Sequence, residues 1–168
     1  MRRLLLIASL SLISACSNMS GMQQSYTELT TSSLVGTWTG ELKCKNRYSE
    51  QDVILTFKQS SFPLIAEGQA YSRATAMSGK VDYMTIQIEG EMSLTGNAHV
   101  EEKAWIVKPT THWNLNAWQG TRTAPDTIRM STCGTEMVLT KVSDEFISDL
   151  RPKAAFLHLE GMRKTAGN

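Results

Sequence analysis

Apolar and polar residues alternate along much of the chain after Leu34, a pattern typical of β-strands. In residues 36–44 the even positions are Gly, Trp, Gly, Leu and Cys, whereas the odd positions are Thr, Thr, Glu and Lys. Because side chains two residues apart lie on one face of a strand, this segment is predicted to be a half-buried antiparallel strand. In residues 100–107 the alternation places Ala104 and Ile106 inward. Strands are predicted at 36–44, 53–58, 84–89, 100–107, 113–117, 127–131 and 136–141.

The segment after residue 142 carries a helix signal. Ser143 can cap a helix, the two acidic residues that follow suit its positive end, and Pro152 is expected to terminate it. Residues 156–160 are predicted to form a last strand. The apolar face of the predicted helix consists of Phe146, Ile147 and Leu150.

The spacing of these elements predicts the fold class. Eight to ten short strands, about ten residues apart and joined by turn residues such as Pro125-Asp126 and Cys133-Gly134, favour an all-β antiparallel barrel with one short C-terminal helix. A β-sandwich is the alternative. At 168 residues the chain is long enough for one domain with a core of its own.

The first 16 residues differ from the rest. A short basic start, Met1-Arg2-Arg3, precedes the apolar run 4–13 and the small residues Ser14-Ala15. This arrangement is typical of a secretory signal peptide. The apolar run is shorter than the roughly 20 residues that a membrane-spanning helix needs.

Residues Ile13-Ser14-Ala15-Cys16 resemble the lipobox of bacterial lipoproteins. The resemblance implies that residues 1–15 are removed and that Cys16 is lipidated, with acyl chains such as palmitate holding the protein on a membrane. Ser17, where an Asp would imply retention in the inner membrane, implies an outer-membrane location facing the periplasm. The alternative is an ordinary signal peptide with a cysteine close to its cleavage site.

Composition divides the remaining chain and excludes one class of partner. Residues 16–33 are rich in Ser, Thr, Gln and Gly, which predicts a flexible tether between the lipid and a single β domain at 34–168. The whole chain has 17 basic and 16 acidic residues, a formal charge of +1. No basic patch marks a nucleic-acid partner.

Two cysteines remain after Cys16. In an oxidising compartment Cys44 and Cys133 form a disulfide candidate that would close a loop of about 90 residues, worth roughly 4–5 kcal/mol in the chain-entropy model. Two buried free thiols are the alternative.

Leu34-Val35-Gly36-Thr37-Trp38 resembles the first strand of calycin barrels, the group that includes the lipocalins. The resemblance implies that Trp38 plugs one end of the barrel, that an Arg near the last strand stacks over it, and that the interior binds a small apolar ligand. Arg129 is the nearest match to that Arg by position.

The residues that could carry chemistry favour binding over catalysis. His99, His112 and His158 are scattered without close Cys or Asp partners, so no metal or cofactor is expected. No serine lies in a nucleophile elbow, and the adjacent Glu101 and Glu102 should point to opposite faces of a strand, as solvated surface residues. The protein is therefore not expected to be an enzyme.

Tryptophans supply the remaining candidates for a ligand site. Trp113 and Trp118 have opposite parity, so one of them should face outward, available to a ligand or partner or else covered by the tail. The expected function is binding of a small apolar or amphipathic ligand in the envelope, with a protein-interaction module as the alternative. The candidate ligand-binding residues are Trp38, Trp113, Trp118 and Arg129.

Overall fold

The computed structural model describes residues 34–43, 50–60, 65–75, 79–109, 114–147 and 150–166. The predictions that concern the signal peptide, Cys16, the tether, Cys44, His112 and Trp113 lie outside these residues. The described elements are, in order, β1 (Gly36–Lys43), β2 (Glu50–Gln59), β3 (Ala66–Thr75), β4 (Val81–Met92), β5 (Asn97–Val107), β6 (Ala117–Ala124), β7 (Thr127–Thr132), β8 (Thr135–Ser143) and α1 (Pro152–Ala166).

These strands form a closed antiparallel barrel in which each strand pairs with the next along the chain. Closure comes from β1 and β8, where Trp38 lies opposite Lys141 and Thr39 opposite Thr140. A closed barrel has no free sheet edge. The predicted barrel with one C-terminal helix is therefore confirmed, and the sandwich alternative is excluded.

The barrel interior is filled largely by apolar side chains on the predicted inward parity. Trp38 is fully buried near the start of β1, and its indole Nε1 donates a hydrogen bond to the carbonyl oxygen of Leu34 at 2.8 Å. This core packs as a continuous cluster across all eight strands. Its larger members include Trp38, Leu55, Phe57, Ile88, Val100, Trp118, Ile128, Met130, Met137 and Leu139.

Strand β3 has no counterpart among the predicted strands. Its inward positions carry only small residues, which lack the β-branched and aromatic character that marks a strand in sequence. These small side chains leave room for larger neighbours: a Cβ on Gly68 would meet the backbone of Thr56 and the ring of Phe57. The inward positions of β3 are Ala66, Gly68, Ala70, Ser72 and Ala74.

Strand β5 departs from regular alternation. Its register against β4 shifts twice, once between Glu102 and Ala104 and once between Trp105 and Val107. These irregularities turn Trp105 into the core, while Ala104 is exposed and Ile106 is 53% exposed. The predicted inward orientation of Ala104 and Ile106 is therefore wrong, because a bulge changes the side-chain parity beyond it.

Strand β6 lies later in the chain than predicted. It begins at Ala117, and Leu115, which falls within the predicted strand 113–117, precedes the strand and is exposed. Along β6 the positions of one parity are Trp118, Gly120, Arg122 and Ala124, a set too mixed to read as apolar. The hairpin between β7 and β8 is as predicted, since Cys133 and Gly134 both have positive φ, as a two-residue type I′ turn requires.

The C-terminal helix begins at Pro152, where the sequence predicts a helix to end. Proline is favoured in the first turn of a helix because its missing N–H needs no partner there. Residues 156–160, the predicted last strand, belong to this helix. Ala155, Phe156 and Leu159 pack on Ile54 and Tyr71 outside the barrel.

The predicted helix after Ser143 does not form because its backbone groups bond to the barrel. The Ser143 hydroxyl accepts from the Glu145 N–H in a local turn, the carbonyl of Glu145 accepts from Thr37 Oγ1, and the N–H of Ile147 donates to Thr56 Oγ1 at 2.8 Å. Within the described chain, no helix has the length and apolar character needed to cross a membrane.

Candidate functional site

The cation that lies over Trp38 is Lys141 rather than Arg129. The Lys141 Nζ is 5.8 Å from the centroid of the indole ring, because β8 pairs with β1 at this point. Arg129 points outward between the inward residues Ile128 and Met130, and it forms an exposed ion pair with Glu136 at 3.7 Å. The predicted stacking of Arg129 over Trp38 is therefore wrong.

A small pocket of about 90 Å³ lies at one end of the barrel, where β1, β3, β5 and β7 end and the other strands begin. Asn114 and Asn116 line it and are exposed, so the pocket reaches solvent. The described lining residues are Leu42, Gln51, Ser72, Met84, Ile86, Glu102, Trp105, Asn114, Asn116, Trp118, Thr132 and Cys133. Of the predicted ligand-binding residues, Trp118 lies here, whereas Trp38 does not.

Glu102 is the principal polar group of this pocket. Its Oε1 accepts a hydrogen bond from the indole Nε1 of Trp118 at 3.1 Å, and its Oε2 accepts one from the backbone N–H of Asn116 at 2.8 Å. Burial raises the pKa of Glu102 to about 6, and these two hydrogen bonds only partly offset that effect. The carboxylate is therefore mostly ionised at neutral pH although it is largely buried.

Gln51 supplies a second polar group, and its donor is unused. The side chain is 6% exposed, and among the described residues its Nε2 has no hydrogen-bond partner. Its cross-strand neighbours are the apolar residues Leu42 and Ala74. A buried N–H without a partner costs about 1–3 kcal/mol, which a ligand oxygen could recover.

Two indoles complete the wall of the pocket. Trp118 is 3% exposed on β6, and Trp105 is half-buried against the same core. They bring a large aromatic surface close to the carboxylate. The pocket thus combines one carboxylate, one unused amide donor and two aromatic side chains.

The sequence held a partial signal for Glu102 and Gln51. Glu102 shares the parity of the inward Val100, and Gln51 shares that of Val53, so each polar residue falls on an otherwise apolar face. The interpretation of the paired acids as solvated is correct for Glu101, which bonds to Lys103 on the outside, but wrong for Glu102. Trp105 could not be found this way, because the bulge changes its parity.

Cys133 lines the same pocket from the β7–β8 turn, and it is disulfide-bonded. Its partner lies outside the described residues, so the pairing with Cys44 stays a prediction. Cys133 lies in the tight turn after β7, with a φ of 44°, so the alternation of inward and outward side chains along β7 does not extend to it. The sequence parity that it shares with the outward Arg129 therefore does not exclude it from the pocket lining.

The other candidate features do not form a comparable site. A larger and more open depression, about 1080 Å³, runs over β4 to β8 and includes His99, Arg129 and Glu136, but the last two are already paired and more than half exposed. His158 is exposed on α1. Among the described residues, no group of three or more His, Cys, Asp or Glu side chains could hold a metal ion.

Comparison with known proteins yields no relative from which a function could be transferred. No protein-family model, curated protein or solved structure matches this chain.

Proposed function

We propose that this protein is a lipid-anchored protein of the bacterial envelope whose barrel binds a small ligand through the Glu102 pocket. One observation carries the binding proposal: a largely buried carboxylate and a buried, unpartnered amide donor line a single cavity. A buried charge without a counter-charge, even one that accepts hydrogen bonds as Glu102 does, and a buried donor without a partner both cost stability. They are therefore expected where a ligand provides the missing partners.

The size of the pocket favours an amphipathic ligand over a wholly apolar one. A volume of about 90 Å³ holds roughly a few water molecules or one small polar group. The rest of the described interior is occupied by side chains such as Phe57 and Met130. The polar group of the ligand would enter beside Glu102, and any longer apolar part would remain near the rim, where Trp105 is half-buried.

The binding proposal is tested by the small molecules that purify with the protein. Wild type and the Glu102→Ala variant would be isolated from envelopes, denatured, and compared by untargeted mass spectrometry of the released compounds. We expect at least one compound to be reduced about tenfold in Glu102→Ala but retained in the matched variant Glu101→Ala, which alters the exposed neighbour. Identical compounds from all three proteins would contradict the proposal.

The lipid anchor is supported by the basic start, the apolar run and the lipobox-like residues ending at Cys16. A Cys16→Ser variant should be released from the membrane or remain an unprocessed precursor, whereas Ser14→Ala, which keeps a small residue in the same motif, should behave as wild type. Ser17→Asp should move the protein to the inner-membrane fraction. Normal processing and membrane attachment of Cys16→Ser would refute the anchor.

A Cys44–Cys133 disulfide follows from the same proposal. If lipid occupies Cys16, Cys44 is the one cysteine left to pair with Cys133, since the chain has three. Peptide mapping without reductant should recover a linked peptide that contains both residues. Recovery of Cys44 as a free thiol from envelope material would exclude this pairing.

A protein-interaction module of the envelope is the second candidate, favoured by exposed apolar side chains near the rim that carries the pocket. Ile106 and Val107 at the end of β5, Val81 at the start of β4, and Leu115 before β6 are all more than a third exposed. Exposed apolar side chains at one end of a barrel are candidate contact groups for a partner protein. Crosslinking in intact envelopes should capture one stoichiometric partner whose yield falls in Ile106→Ser but not in Leu94→Ser, which changes an exposed apolar residue in the β4–β5 turn at the opposite end of the barrel.

A further inference from the structure

The charge balance of the pocket indicates what kind of group it accepts. Glu102 is the one acid among the described lining residues, and these include no Lys, Arg or His. Its two hydrogen-bond donors, the Trp118 indole and the Asn116 amide, are neutral. The nearest basic residue along β5, Lys103, points outward and pairs with Glu89 and Glu101. The carboxylate therefore lacks a counter-charge within the described pocket.

The walls around Glu102 also favour a cationic ligand. Cations bind favourably to indole faces, most of all where water is excluded, and Trp105 and Trp118 both line this cavity. The remaining wall near Glu102 is uncharged and includes Ile86 and Met84. An anionic group would be repelled by the carboxylate, and a neutral group would leave its charge unbalanced.

Gln51 adds a second requirement. Its unpartnered Nε2 can only donate, so the complementary ligand atom is an oxygen acceptor. Both groups line a cavity of about 90 Å³, so the cation and the acceptor must lie within a few bonds of each other.

We propose that the ligand of this pocket carries a primary ammonium group that pairs with Glu102, next to an oxygen that accepts from Gln51. This inference rests on the proposed binding function and specifies its ligand as an amino alcohol or an ester of one. Free amino alcohols and the ethanolamine head group of a lipid share this chemistry.

The test uses ethanolamine and three matched probes on the purified full-length protein in detergent. Ethylamine lacks the oxygen, ethylene glycol lacks the charge, and glycolate reverses it. Binding is followed by the indole N–H resonance of Trp118, which donates directly to Glu102 and can be assigned by its loss in Trp118→Phe. Since ligands of about three to five non-hydrogen atoms bind weakly, titrations run into the millimolar range.

Ethanolamine should shift the Trp118 resonance at the lowest concentration, ethylamine should need several-fold more, and glycol and glycolate should have little effect. Glu102→Gln should weaken ethanolamine binding about tenfold or more, whereas the outward Glu101→Gln should not. In wild type, lowering the pH from 7.5 to 5 should weaken binding about tenfold, because protonation removes the charge on Glu102. This pH comparison needs no variant. Tighter binding of lysophosphatidylethanolamine than of ethanolamine would identify a lipid head group as the source.

The outcomes separate this inference from the proposed function. A response to glycol or glycolate that equals or exceeds the ethanolamine response overturns the ammonium ligand but leaves a binding pocket in place. Failure of ethanolamine to shift Trp118 also overturns the ammonium ligand. If, in addition, no co-purifying compound depends on Glu102, the proposed function falls as well.

Discussion

Replacing Glu102 by Gln should change how the stability of the protein depends on pH. Burial raises the pKa of this carboxyl from 4.5 to about 6 in the folded protein, whereas the unfolded chain exposes it to water. The folded state therefore binds the proton more tightly than the unfolded state does. Consequently, stability is greater when Glu102 is protonated, falls as the pH rises through the window from about 4.5 to 6, and stays lower above it. A difference of about 1.5 pKa units corresponds to about 2 kcal/mol of unfolding free energy.

The measurement is urea unfolding of wild type and Glu102→Gln at pH 4 and pH 8, followed by tryptophan fluorescence. Gln cannot titrate, so its hydrogen bonds with Trp118 and Asn116 contribute the same to the stability of the variant at both pH values. The change in the difference between variant and wild type from pH 4 to pH 8 therefore reports the titration of Glu102 in wild type. The unfolding free energy of the variant minus that of wild type should be about 2 kcal/mol more positive at pH 8 than at pH 4.

Glu101→Gln is the matched control, because it makes the same change one residue away on the outer surface. The bond to Lys103 lowers the pKa of Glu101, so this carboxylate stabilises the folded state at high pH and loses that effect as the pH falls. Relative to wild type, Glu101→Gln should therefore be less stable at pH 8 than at pH 4, which is the opposite sign to Glu102→Gln. The assignment of a buried, mostly uncompensated carboxylate is refuted if the unfolding free energy of Glu102→Gln depends on pH as that of wild type does. It is also refuted if the variant is more stable relative to wild type at pH 4 than at pH 8.

Three further predictions concern stability and can be checked by urea midpoints. Phe156→Ala should cost about 3–4 kcal/mol because its ring packs between α1 and the barrel, whereas Leu157→Ala, at a 60% exposed neighbour, should cost under about 1 kcal/mol; equal losses would argue against the docked helix. Gly36→Ala should destabilise much more than Gly134→Ala, because both have positive φ but a Cβ at 36 would collide with backbone whereas one at 134 meets open space; similar costs would show that the collision is relieved. Gln51→Leu should stabilise the unliganded protein by about 1–2 kcal/mol, and a loss of stability would mean that its amide has a partner.

The barrel could be predicted from the sequence because its wall imposes a period of two on strands with one wet face. Trp38, Leu55 and Ile88 fall on the buried parity, as their alternation indicates. The prediction of strands failed at β3, where the buried face of the strand does not consist of large apolar residues. The inward residues of β3 are small and give no strong hydrophobic signal, yet they are buried; at Gly68 the ring of Phe57 occupies the space that a side chain would take.

The tail illustrates a different limit, since its local signals compete with long-range partners. Ser143 does cap a backbone N–H, but the groups that would extend a helix bond instead to Thr37 and Thr56, more than 90 residues away. No pattern within the tail reveals those partners. The helix forms only after Pro152, where Phe156 and Leu159 find an apolar surface on the outside of β2 and β3.

The candidate site depends on an irregularity that a period of two cannot express. In a regular strand Glu102 and Trp105 would lie on opposite faces, so only one of them could enter the barrel. The register shift after Glu102 places Lys103 and Ala104 together on the outer surface, where Lys103 bonds to Glu101 at 2.6 Å and to Glu89 at 3.0 Å. These ion pairs lie directly over the bulge and hold Lys103 outward. Because the bulge turns the following residue back inward, the carboxylate and the indole share one cavity, and the chemistry of the pocket arises from the geometry of β5 rather than from its composition.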